Sequence, residues 1–229
     1  MNFLQMFQKF HEMSGAAGVI PTTTVSQVGE KLRLRNILIT AANDIDLMWQ
    51  NWNYLWDNTF TYDTVAGTQT YTAPVTLGRW DNKTFRIDGD IIQCVEYVNV
   101  RTEYFSTAVA DRGTPDRVII RPDKSLQFDP VPDGPYTLTV DQWLKPTLLG
   151  STNTVADDTE QPAMPSEFRN AIVGKALILY GTYENADDAV KLGMELWDTF
   201  YSRLEASELP NVFGSNANFS GNEIEVIAQ

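Results

Sequence analysis

The sequence predicts an α+β protein, a helical bundle of N- and C-terminal helices with an inserted antiparallel β region. Three observations predict it. Apolar residues recur at helical spacing early in the chain, alternate one by one after Trp56, and return to helical spacing after Ser166. With 229 residues, 43% hydrophobic and 11% aromatic, the chain is long and apolar enough to bury a core.

The first helix begins at Asn2, which with Gln5 has the form of a capping box. Phe3, Met6, Phe7, Phe10 and Met13 follow at helical spacing, and Gly15 stops the run. Thr24 and Gln27 repeat the capping-box form ahead of a longer helix. Its apolar stripe is Val28, Leu32, Ile37, Leu38, Ala41, Ile45, Met48 and Trp52, and Asn51 and Asn53 mark where it frays.

After Trp56, Phe60, Tyr62 and Thr64 alternate with Thr59, Thr61 and Asp63. Ala66-Gly67 turns the chain and residues 69–72 return, so 59–73 reads as a β-hairpin. Ile91 to Val100 is a second β-rich run. Residues 117–121 and 125–128, joined by Pro122-Asp123-Lys124, form another hairpin, and Tyr136, Leu138 and Val140 alternate again. Ser166 is placed to cap a helix through Tyr183 that is apolar on more than one side. Asn185 and Asp188 cap a second helix carrying Ala189, Gly193, Leu196, Trp197, Phe200 and Leu204, and Pro210 ends it. The connection is too short for anything but an antiparallel helical hairpin.

The implied organisation is therefore 1–56 as the N-terminal part of a helical domain, 57–146 as an antiparallel β domain and 147–165 as a loop. Residues 166–209 complete the helical domain, and 210–229 form an extended C-terminal arm. The arm reads either as a frayed terminus or as a segment that orders on a neighbour through Phe213, Phe219, Ile224, Val226 and Ile227.

Seventeen basic against 30 acidic residues leave a net charge of −13, which argues against an electrostatic grip on nucleic acid. One cysteine, Cys94, excludes a disulfide framework or a cysteine-rich zinc site, and one histidine, His11, excludes a two-histidine metal site. No apolar run approaches the ~20 residues of a membrane span, and the start lacks a signal-peptide layout. Asp88-Gly89-Asp90 and Asp157-Asp158 lack the ligand spacing of a calcium loop and read as turns. Trp49, Trp52 and Trp56 stand at helix-face spacing and read as a seam between the long helix and the β region rather than as a sugar platform. Cys94 reads as a small core residue. No cofactor or catalytic constellation is expected, and the chain is not expected to be an enzyme.

The order of segments resembles the head-to-tail adaptor, or connector, proteins of short-tailed bacteriophages. The resemblance is carried by residues 21–25 (Pro-Thr-Thr-Thr-Val), the long helix with its exit at Trp49–Trp56, and residues 60–71. It continues through residues 126–133 ahead of Tyr136–Val140, then Met164-Pro165-Ser166-Glu167-Phe168 and residues 204–210. It implies a non-enzymatic virion protein of the neck, a dodecamer joining the portal protein to a nozzle-type tail protein. DNA would pass through the lumen during ejection without specific binding. Within that reading the acidic residues Asp187, Asp188, Glu195, Asp198 and Glu205 are the candidate channel lining, because a passage for DNA should repel phosphate. The competing reading is a carbohydrate-binding or carbohydrate-cleaving module using the aromatics and paired carboxylates.

Overall fold

Asn2 accepts from the Gln5 amide at 2.9 Å while the Gln5 side chain accepts from the Asn2 amide at 2.9 Å, so the first expected capping box is formed. The computed structural model describes residues 1–150 and 154–209. Its helices are α1 (Phe3–Met13), α2 (Gly29–Met48), α3 (Tyr97–Val100), α4 (Asn170–Glu184) and α5 (Asp187–Glu208). The strands are β1 (Trp56–Asp57), β2 (Thr61–Asp63), β3 (Thr70–Tyr71), β4 (Leu77–Trp80), β5 (Arg86–Ile87) and β6 (Asp90–Ile91). They continue with β7 (Gln93–Glu96), β8 (Arg117–Ile120), β9 (Leu126–Asp129), β10 (Thr137–Thr139) and β11 (Gln142–Leu144). The class is α+β, and the chain divides into two units, Met1–Ile45 with Leu149–Gln229, and Asp46–Leu148.

In the first unit Phe3, Met6, Phe7 and Phe10 of α1 are fully buried. The second expected capping box does not form. Thr24 donates its amide and hydroxyl to Asp158 at 2.5 and 2.6 Å, and Thr23 donates its hydroxyl at 2.8 Å. An ionised carboxylate is a stronger acceptor than a neutral side chain, so the threonines serve Asp158 and α2 starts later, at Gly29. The buried face of α2 is Leu34, Leu38, Ala41, Ala42 and Ile45, whereas Val28, Leu32 and Met48 of the expected stripe are exposed.

Ser166 does not cap α4. The helix begins at Asn170 behind Arg169, whose guanidinium donates to the carbonyls of Met1, Pro162 and Met164. Asn185 ends α4 in the left-handed conformation rather than starting α5, and Ala186 stands at the head of α5. The two helices form the expected antiparallel hairpin, held close by Gly174, Gly181 and Gly193. A Cβ at Gly174 would lie 2.8 Å from the Trp197 amide nitrogen, and one at Gly181 would lie 2.8 Å from that of Val190.

In the second unit the strands make three small sheets, ordered β1-β11-β4, β2-β10-β5-β6 and β3-β9-β8-β7. The β8–β9 hairpin is as expected, with Val118 opposite Phe128. The expected hairpin over 59–73 is not formed, because β2 pairs with β10 and β3 with β9, in different sheets. The Tyr71 hydroxyl accepts from the Val65 amide and its ring packs edge-on against Phe128, which holds β3 against β9 instead. Pairing is antiparallel except between β7 and β8, which run parallel, and the later part of the expected run 91–100 is α3. Tyr71, Leu77, Trp80, Phe85, Ile87, Val118, Leu126, Phe128, Leu138 and Val140 form the core of this unit.

Asp46 is only 3% exposed and accepts from the Tyr54 hydroxyl at 2.9 Å. Burial pushes its carboxyl up to about 6 from the ordinary 3.8, against the opposing Tyr54 hydrogen bond. The folded state thus holds this proton more tightly than the unfolded chain. The stabilising contribution is full below the unfolded value and is lost as pH rises through about 6. Asp46→Asn keeps an acceptor for Tyr54 and removes the buried charge. It is expected to be more stable than the parent around pH 8 and to flatten the stability profile between about pH 4 and 6. Urea unfolding across that range reads the difference, and an unaltered slope would place the charge in water.

Candidate functional site

The sequence of α5 places carboxylates where the hairpin turns them outward. Ala189, Gly193 and Leu204 are buried, while Asp187, Asp188, Glu195 and Asp198 are exposed and Glu205 is half-buried. Asp188, Glu195, Asp198 and Glu205 recur at steps of seven, three and seven, which keeps them on one stripe of the helix. Among the described residues the cation within reach of these five is Lys191, 4.0 Å from Asp188, with both side chains largely in water. A pair so exposed neutralises little. The glycines of α4 and α5 bring the two helices into close backbone contact, and within α5 Trp197 stacks on Tyr201 at 4.1 Å. What this geometry can do is present a fixed negative field that repels phosphate.

The tryptophans at helical spacing are not on a helix. The helix α2 ends at Met48, Trp52 lies beyond it, and Trp56 is in β1. Trp52 is fully buried and stacks on Tyr54 at 5.5 Å, whereas Trp49 and Trp56 are 44% and 47% exposed. Trp49 lines a hollow of about 200 Å³ with Leu47, Leu55 and Leu144. The backbone leaves the helix after Met48 because β1 is drawn into pairing with β11, with Trp56 opposite Trp143.

Phe213, Phe219, Ile224, Val226 and Ile227 lie outside the described residues. Asp157 and Asp158 do different work from each other. Asp157 is fully buried and pairs with Arg35 at 2.8 Å. Burial pulls the Asp158 carboxyl up, but the hydrogen bonds from Thr24 and Thr23 outweigh it and hold the carboxyl below the usual range. Asp88 and Gly89 have positive φ, and Asp88 accepts from the Thr137 amide as a turn residue does. Burial, with the Glu96 charge adding, pushes the Cys94 thiol up to about 12, which leaves it un-ionised at neutral pH. No group of three or more His, Cys, Asp or Glu among the described residues could hold a metal ion, and no helix there is long and apolar enough to cross a membrane.

One feature escaped the sequence reading. In the second unit Arg79, Lys83, Arg121 and Lys124 converge with Tyr97 and Trp143 on a cleft of about 660 Å³. These residues are scattered over β4, α3, β11 and the turns between, so no local spacing announces the cluster.

Residues 22–213 match a family model described as SU10 adaptor protein. No curated protein matches the chain.

Proposed function

We propose, from the premise that the chain belongs to the SU10 adaptor protein family, that it closes with further copies into a twelve-fold ring between the portal and the tail. The family itself makes the chain a phage structural adaptor, a virion component that works by contact with other head and tail components. It is a structural family, not a class of enzyme.

The observation that carries the finer reading is the exposed acidic stripe of α5 in a chain of net charge −13. Repeated around an axis, Asp187, Asp188, Glu195, Asp198 and Glu205 would line a lumen that DNA slides through without adhering, since phosphate is repelled by fixed carboxylates. A ring is a heterologous assembly in which one face of each copy meets a different face of the next. The helical elements are assigned to the ring and the portal side, the β region to the tail side and a nozzle-type partner. The apolar residues of the arm are assigned to portal or to an adjacent copy. The domain bounds drawn from the sequence, 1–56 with 166–209 around 57–146, carry this division of labour.

Native mass measurement of the chain mixed with portal is expected to give a discrete complex holding twelve copies. An oligomer is favoured only on the template, because association entropy opposes a free ring. Failure to join portal, or a different copy number on it, would sink the ring.

A further inference from the structure

The cleft of the second unit is a place where a strongly acidic protein leaves its cations uncommitted. The chain carries 30 acidic residues against 17 basic ones. Yet Arg79, Lys83, Arg121 and Lys124 make none of the ion pairs found within 4.0 Å among the described residues. Their hydrogen-bond and ring partners are neutral, although the Asp123 carboxylate lies within electrostatic reach of Arg121. The Arg79 guanidinium lies 4.3 Å over the Trp143 ring, and that of Arg121 lies 5.6 Å over Tyr97. Arg121 also reaches Gln127 weakly at 3.5 Å, and Lys124 donates to the Gly78 carbonyl. A guanidinium resting its face on an aromatic ring keeps its edge donors for a carboxylate. The Trp143 indole nitrogen is shielded from solvent with no acceptor among the described residues. Arginine, tryptophan and tyrosine around one cleft is also the composition of energetic anchors at interfaces.

We propose that this cleft docks the C-terminal segment of a neighbouring copy, through Glu223-Ile224-Glu225-Val226. Residues 210–229 contain two carboxylates, Glu223 and Glu225, and no basic residue. In an extended segment alternate side chains point to opposite sides, so the two glutamates face one wall and Ile224 and Val226 the other. The cleft offers both chemistries, the apolar surfaces of Val98, Pro122 and Trp143 and four cations that outnumber its two carboxylates, Asp81 and Glu96. DNA is the poorer occupant. A polyanion needs many neutralised phosphates, and it approaches against the field of a chain of net charge −13. A segment with two charges, tethered to a copy already in place, binds at high effective concentration. The fourteen residues from Pro210 to Glu223 could span about 45–50 Å when extended. Contribution by a neighbour rests on the ring reading, whereas the fit of segment to cleft does not.

The test is a titration of a fluorescent peptide of residues 219–229 into full-length chain carrying Glu223→Lys and Glu225→Lys, so that its own end does not compete. Saturable binding is expected. It should weaken at least about tenfold when the receptor also carries Arg79→Ser and Arg121→Ser, and equally when the peptide carries the two lysines. Lys83→Glu, at an exposed position, gives a second receptor whose folding is not at risk. Absence of saturable binding, or binding indifferent to all these changes, overturns the proposal. So does a twelve-base oligodeoxythymidine that displaces the peptide and depends on the same cations, which would make the cleft a nucleic-acid site. Ring and cleft fail separately. Peptide binding without a portal ring sinks only the ring. A twelve-copy portal ring formed by a chain whose cleft shows no saturable peptide binding sinks only the docking.

Discussion

Replacing Asp157 with alanine is expected to destabilise the chain by about 3–5 kcal/mol, the cost of leaving one half of a buried ion pair without the other. The Asp157 side chain is fully buried and that of Arg35 is 7% exposed, with 2.8 Å between them. The Arg35 guanidinium also sits 5.5 Å from the centre of the Phe3 ring. It has no water to turn to when the carboxylate is removed, and several kcal/mol of desolvation are no longer offset. Arg35→Met with Asp157→Leu removes both charges and is expected to recover most of the loss. For a chain of this size each kcal/mol moves Tm by about 2–4 °C, so the single variant should melt at least about 6 °C lower. Thermal and urea unfolding of Arg35→Met, Asp157→Leu and the variant carrying both complete a double-mutant cycle. A single-variant loss below about 1 kcal/mol would mean that water reaches the pair.

The second large effect is at the helical hairpin. Gly193→Ala is expected to cost about 2 kcal/mol net, although alanine is the better helix former by about 1 kcal/mol. A Cβ at Gly193 would stand 2.8 Å from the Gly174 carbonyl oxygen and 2.8 Å from the Ile178 amide nitrogen. Those atoms belong to the backbone of the facing helix and cannot rotate aside, so α4 and α5 must separate along their length. Separation would strip packing from Ile178, Val190 and Leu196, whose side chains lie at the contact of the two helices. Gly134→Ala is the control, since a Cβ there meets nothing within 4 Å. Urea midpoints followed by helix circular dichroism read both. A Gly193→Ala chain as stable as the parent would show that the helices close without the glycines.

The readings that held rest on groups that satisfy one another within a few residues. Asn2 and Gln5 exchange hydrogen bonds three places apart, and β8 and β9 meet across a short turn, so the residues that decide each element are neighbours in the chain. The readings that failed were local patterns with a distant competitor. Thr24 has the form of a helix cap, but it donates to Asp158, 134 positions away. The alternation over 59–73 is real, yet its two halves pair with β10 and β9 rather than with each other. Trp49, Trp52 and Trp56 keep helical spacing only on paper, because the pairing of Trp56 with Trp143 takes the backbone into a sheet. The acidic stripe of α5 was legible because helical period alone sorts its carboxylates from its buried residues. The cationic cleft was not, because it gathers Arg79, Arg121 and Trp143 from separate turns and strands.

By itself, then, the sequence determined the α+β class, the succession of helices, β region and helices, the acidic face of the last helix and the resemblance to phage adaptors that the family match bears out. Only the tertiary structure decided which strands pair, where α2 begins, and which cations share a cleft. Periodicity and caps report what a segment can satisfy from its own few residues. The choice among donors, acceptors and apolar faces a hundred positions apart is a competition settled only when the whole chain is folded.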